Sequence, residues 1–143
     1  MSRQLQQTRP RVVERKIWPA ALLGGVLSVV GNLLVFVVAE GLGVNLQVTT
    51  APGSSTLVPL QVGPVVLASL LPAFPAAALL KVLARFSPNP WLLFLGLSGA
   101  FLLVSLRGPL NLPTDPANEW TLNLMHLVSA VAIVGALWGW ARR

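Results

Sequence analysis

Residues 120–140 read WTLNLMHLVSAVAIVGALWGW. A helix rises about 1.5 Å per residue, so roughly 20 apolar residues cross a hydrocarbon layer ~30 Å thick. This run meets that length with a single imidazole, His126, inside it. The same test finds three more runs at residues 17–39, 62–80 and 91–106. The third is short and must stand nearly upright or borrow flanking residues. Only internally bonded helices and closed barrels suit a bilayer interior. The sequence therefore predicts an all-α membrane protein, a bundle of four antiparallel transmembrane helices.

Composition points the same way. Of the 143 residues, 55% are hydrophobic and 10% are charged, against about 25% charged in soluble domains. There is no cysteine, which removes disulfides and thiolate chemistry together. One domain is expected over residues 17–140, with a basic tail at 1–16 and a basic end at 141–143. The first run is longer than a signal-peptide core of roughly 7–15 residues, so it is expected to stay as a span.

The net charge is +6. Arg3, Arg9, Arg11, Arg15 and Lys16 precede the first run, Lys81 and Arg85 fall between the second and third, and Arg142 and Arg143 end the chain. The other two connections hold Arg107 and three acids, Glu40, Asp115 and Glu119. The positive-inside rule then places both termini in the cytoplasm. The basic excess is a topology signal, and no nucleic-acid partner is expected because no soluble basic face exists.

The first outer connection alternates. Val44, Leu46 and Val48 interleave with Asn45, Gln47 and Thr49, a strand period. The turn cluster at 51–55 and TLVPLQV at 56–62 complete a possible short extracytoplasmic β-hairpin between helices 1 and 2. Pro59 confines its strand to an edge.

Helix 1 carries Ala20, Gly24, Ser28 and Asn32 at four-residue intervals, one small-residue face on which another helix can pack closely. The expectation is packing inside the chain, with a homodimer seam as the other possibility. Pro72 and Pro75 should bend helix 2.

Polar side chains share a level. Asn32 and His126 each fall about 10 Å below the outer surface, and Ser69 lies at a similar height. Ser98 lies about 12 Å in from Arg107. Asn123, His126 and Ser129 follow at spacing three. Polar groups in hydrocarbon are costly unless paired, so Asn32, Ser69, Ser98, Asn123, His126 and Ser129 should form an interhelical cluster or line a ligand pocket. In the first case His126 bonds Asn32 or a serine. Arg107 is expected to pair at the outer interface with Glu40, Asp115 or Glu119, or to meet a lipid headgroup. No catalytic residue, metal site or cofactor is expected. Zinc needs three or four ligands, a haem would have one histidine, and no nucleophile elbow, phosphate loop or dinucleotide fingerprint occurs.

Asn32 late in span one, LP with small residues in span two, SLRGPL closing span three and MHLVSA opening span four resemble a family of small four-span bacterial integral membrane proteins of unknown function. The resemblance covers roughly residues 17–140 and implies a bacterial plasma membrane. It carries no activity. The leading reading is a non-enzymatic structural or accessory subunit whose partners are the lipid bilayer and other membrane subunits or itself. The alternatives are a module with an outer-leaflet pocket for a lipid, quinone or other small hydrophobic ligand, and a membrane enzyme acting on a lipid or isoprenoid.

Overall fold

The computed structural model describes residues 12–51 and 54–142. A single 3-10 turn, Glu14–Lys16, leads into α1 (Ile17–Gly41). Two short strands follow, β1 (Gln47–Thr49) and β2 (Leu57–Pro59). The rest is helical: α2 (Val62–Leu70), α3 (Ala73–Phe86), α4 (Pro90–Ser105), the short α5 (Arg107–Leu110) and α6 (Pro116–Ala141). Four helical stretches are long and apolar enough to cross a bilayer: Glu14–Gly41, Val62–Phe86, Pro90–Leu110 and Pro116–Ala141. The protein is a four-span membrane bundle with a small antiparallel hairpin between its first two spans.

The second span is α2 and α3 in sequence, interrupted at Leu71 and Pro72. Pro72 and Pro75 supply no N–H. The Leu71 carbonyl is picked up by the Phe74 N–H at 3.2 Å and the chain then resumes its helix. All four spans run past the bounds that apolarity alone suggests. Lys81 and Arg85 belong to the last turns of α3, not to a loop, and α6 begins at Pro116. A helix need not end where the hydrocarbon ends, because its flanking turns can continue into the headgroup layer with charged side chains exposed.

Both described ends of the chain meet. Val12 pairs antiparallel with Arg142, and the Val13 N–H donates to the Ala141 carbonyl at 2.8 Å. The start of α1 and the finish of α6 therefore share one end of the bundle, with the hairpin at the other. The strand register is Gln47↔Pro59, Val48↔Val58 and Thr49↔Leu57. It is shorter than the alternating run because the preceding residues turn inward. Leu46 is buried, and its carbonyl accepts from the Leu60 N–H at 2.9 Å. The hairpin is reached through Gly43, whose φ of 81° lets the Val44 N–H return to the Ala39 carbonyl at 3.0 Å and close α1.

The interior divides in two. At the termini end Ile17, Ala20, Ala77, Leu80, Trp91, Phe94 and Leu137 form one apolar core. At the hairpin end Phe36, Ala39, Leu46, Val65, Leu122 and Met125 form another. α1 runs through both and packs on α6 along the small-residue face. A Cβ on Gly24 would lie 2.8 Å from the Ile133 Cα, and one on Gly31 would lie 2.7 Å from the Val128 Cγ1. The face bearing Ala20, Gly24 and Ser28 is thus filled from within this chain.

These two glycines should differ when substituted. Gly24→Ala forces a new methyl against the α6 backbone and is expected to destabilise by about 1–3 kcal/mol. Gly31→Ala meets only a side-chain methyl and should cost less. Reversible unfolding of the two variants in mixed micelles measures the difference.

Candidate functional site

Between the two apolar cores lies a polar layer. Ser28 and Asn32 are one turn apart on α1, Ser69 ends α2 just before the proline break, and Ser129 lies near the middle of α6. The Asn32 Nδ2 donates to Ser69 Oγ at 2.8 Å and to Ser129 Oγ at 2.8 Å. Ser28 Oγ donates to Ser129 Oγ at 2.8 Å. Ser69 Oγ passes its own proton to the Val65 carbonyl at 2.7 Å. One carboxamide therefore ties together α1, α2 and α6. Ser28, Asn32 and Ser69 are buried. Interhelical hydrogen bonds of this kind contribute about 0.6–2 kcal/mol each.

Not every polar residue at this height joins. His126 is half-buried, and its Nδ1 lies 2.8 Å from the Leu122 carbonyl of its own helix. A carbonyl only accepts, so Nδ1 carries the proton and is spent locally. Asn32 and the serines bond one another without the imidazole. Asn123 is buried with its Oδ1 unpartnered, as is the Oδ1 of Asn32. Ser98 is half-buried on α4, away from the Asn32 network.

At the hairpin end Arg107 and Glu40 are exposed and Glu119 is half-buried. Among the described residues no ion pair joins Arg107 to Glu40, Asp115 or Glu119. The Arg107 carbonyl accepts from Asn111 Nδ2 at 2.7 Å, and α5 turns the chain there. Among the described residues no group of three or more His, Cys, Asp or Glu side chains converges.

One residue escapes sequence reasoning. Asn118 is completely buried. Its Oδ1 accepts from the Gln47 N–H at 3.0 Å, and its Nδ2 donates to the Gln47 carbonyl and to Thr114 Oγ1, each at 3.0 Å. The side chain thus acts as an extra strand residue beside β1. Asp115 caps the same helix by accepting from the Asn118 N–H at 3.0 Å, with Pro116 at the first helical position. The Asp-Pro pair was the available signal for this helix start. Nothing in the sequence marks the long reach from Asn118 to Gln47.

Two clefts open at the hairpin end. One, of about 600 Å³, is lined by Thr49, Ser54, Ser55, Gly108, Asn111, Leu112 and Pro113. The other, of about 340 Å³, is an apolar groove between α1 and α6 lined by Leu34, Val35, Val38, Ala39, Leu42, Val44, Thr121 and Leu124. Asn32, Ser69, Ser98, His126 and Ser129 line neither.

Residues 12–143 match the profile of a family of unknown function, DUF6069. The match covers nearly the whole chain, which belongs to that family. No curated protein and no solved structure matches it.

The polar layer predicts unequal costs for substitutions at one depth. Asn32→Ala frees two serine acceptors and is expected to destabilise by about 1–3 kcal/mol. His126→Phe should change stability by under about 0.5 kcal/mol, because it removes one bond within its own helix. Unfolding in mixed micelles distinguishes them. For Asn118→Ala, the Gln47 amide loses its acceptor, so its hydrogen exchange should accelerate at least about tenfold while amides in α1 hold.

Proposed function

We propose that this DUF6069 member is a non-enzymatic structural or accessory subunit of a bacterial plasma-membrane assembly, with both termini in the cytoplasm. It works by laying one bare flank against a second transmembrane chain, which is another copy of itself or a different subunit. The cytoplasmic assignment rests on the basic residues gathered at the termini end.

The observation that carries this reading is a contrast between glycines. Gly24, Gly25 and Gly31 stand where a Cβ would collide with the neighbouring helix. Gly135 and Gly139 on α6, and Gly96 and Gly99 on α4, meet nothing within 4 Å. A glycine inside a helix costs about 1 kcal/mol relative to alanine. Inside this chain the first set recovers that cost through close packing and the second does not. Gly135 and Gly139 are also spaced four apart, so they lie on one face and permit close backbone approach in lipid. The third span is the least enclosed: 11% of its apolar stretch is buried, against 33% for the first.

The pocket and enzyme readings draw less support. A pocket at the polar layer would need those side chains to line an opening, and they bond one another. Acid–base chemistry at His126 would run through its other ring nitrogen, Nε2, and among the described residues no side chain is hydrogen-bonded to it; the one bond the ring makes is from Nδ1 to its own helix.

The chain has no cysteine, so single introduced cysteines report association cleanly. With Val131→Cys on the bare face of α6, oxidation in vesicles should give a species of twice the chain mass, or a cross-link to one co-purifying subunit. Adding Gly135→Leu should weaken that association about tenfold, a change of ~1.4 kcal/mol. A chain that stays single at every protein-to-lipid ratio, and co-purifies with no other chain, defeats the proposal.

A further inference from the structure

Charge is divided unequally between the two ends of the bundle. At the termini end the described charges are Arg15, Lys16, Lys81, Arg85 and Arg142 against Glu14 alone, a net of +4, and all six side chains are exposed. At the hairpin end they are Arg107 against Glu40, Asp115 and Glu119, a net of −2. A single carboxylate leaves most of the five cations without an opposite charge. Three of the four spans contribute them: Arg15 and Lys16 from the turn before α1, Lys81 and Arg85 one helical turn apart on α3, and Arg142 just past α6.

Exposed aromatic rings mark the depth of these cations. Trp120 and Trp140 are exposed at the two ends of α6, and their separation along the helix is about 30 Å, the thickness of a hydrocarbon layer. Tryptophan favours the boundary between hydrocarbon and headgroups, so each ring marks one edge of that layer. Trp18 and Phe86 are exposed as well. They stand within two residues of Lys16 and Arg85, as Trp140 stands within two of Arg142. Two of the guanidiniums lie against rings: Arg85 is 5.7 Å from the Phe86 centroid, and Arg142 is 4.0 Å from the Trp138 centroid. Cations at this depth lie among lipid headgroups and not in the water beyond them.

We propose that the termini end of the bundle gathers anionic phospholipids into the leaflet around it, through Arg15, Lys16, Lys81, Arg85 and Arg142 acting together. A lysine or arginine near a membrane surface raises affinity for anionic lipid about fivefold. The attraction needs no pocket, because a headgroup within a Debye length of ~10 Å at 0.1 M salt feels the cations. Like charges gathered at one end also repel one another, and a shell of anionic lipid relieves that repulsion. The hairpin end, being net negative, draws no such shell. The surface is complete in one chain and acts whether or not chains associate.

The chain has five tryptophans, and their placement makes the test local. Trp120→Phe removes the one at the hairpin end, and Trp18, Trp91, Trp138 and Trp140 all lie at the termini end. The full chain with that change is placed in vesicles of mixed dioleoylphosphatidylcholine and dioleoylphosphatidylglycerol, one of the two brominated on its acyl chains. Fluorescence quenching then gives the relative affinity of the two lipids. At low salt the termini end should prefer phosphatidylglycerol by at least about fivefold. In about 1 M salt, where the Debye length is ~3 Å, the preference should fall below about twofold. Lys81→Gln combined with Arg85→Gln, both on the exposed face of α3, should reduce the low-salt preference at least about threefold. Arg107→Gln removes a cation from the opposite end and should change it less than about 1.5-fold. A low-salt preference below twofold, or one that survives high salt, overturns the proposal. So does a loss with Arg107→Gln equal to that of the double variant, since attraction would then follow net charge alone. An unchanged preference in the double variant refutes it as well, because these cations would then not carry the attraction.

Discussion

A carboxamide in hydrocarbon has nowhere to put its protons except another part of the protein, and Asn32 places both of its protons on serines of other helices. That demand organises the middle of the bundle. Ser69 must come near α1, which draws in the last turn of α2 just where Pro72 has removed the next helical donor. Ser129 must come near α1 as well, which sets the level at which α6 crosses it. Gly24 and Gly31 permit the approach, since any Cβ there would overlap α6. The hydrogen bonds specify the register, and the glycines make that register reachable.

On either side of this layer, different forces close the structure. The termini end is apolar packing plus an aromatic stack, sealed by the pairing of Val12 with Arg142. The hairpin end encloses fewer apolar side chains and leans on polar work by Asn118. A two-stranded hairpin is marginal in water by itself. This one is held because a buried amide satisfies both backbone groups of Gln47, and because Leu46 points into the apolar core below. The cap therefore depends on α6 being folded, and α6 in turn meets the cap through Asn118 and through the apolar core that Leu122 and Met125 share with Leu46.

What the sequence disclosed follows the same division. Hydropathy located the four spans because each needs about 20 apolar residues whatever it packs against. The alternation of Val44, Leu46 and Val48 located the hairpin, as period two reflects the strand and not its surroundings. Heights were legible to within about a turn, since rise per residue is fixed: counting put Asn32, Ser69 and His126 at one level, and the α6 partner of Asn32 is Ser129, one turn further on. Azimuth was not. His126 is three residues before Ser129, about 60° round the helix, enough to turn it from α1 to its own Leu122 carbonyl. Ser98 shares the height but rides on α4, whose packing is concentrated at Trp91 and Phe94. Helix ends were misplaced for a related reason: Lys81 and Arg85 interrupt apolarity without interrupting the helix.

The unpaired atoms show where this solution is incomplete. The Asn32 amide donates to two serines and leaves its oxygen buried and unpartnered, and the Asn123 oxygen is likewise buried and unpartnered. Such a group costs about 1–3 kcal/mol, so the three-helix clamp returns less than its hydrogen bonds suggest. A chain retaining these residues for stability alone would do nearly as well with close-packed apolar side chains. What apolar replacement would not supply is a unique alignment, because leucine and valine faces slide past one another at little cost whereas an amide between two serines does not. On this argument the polar layer chiefly fixes the helices in one register, and thereby fixes which glycines are hidden against α6 and which remain bare on the flank.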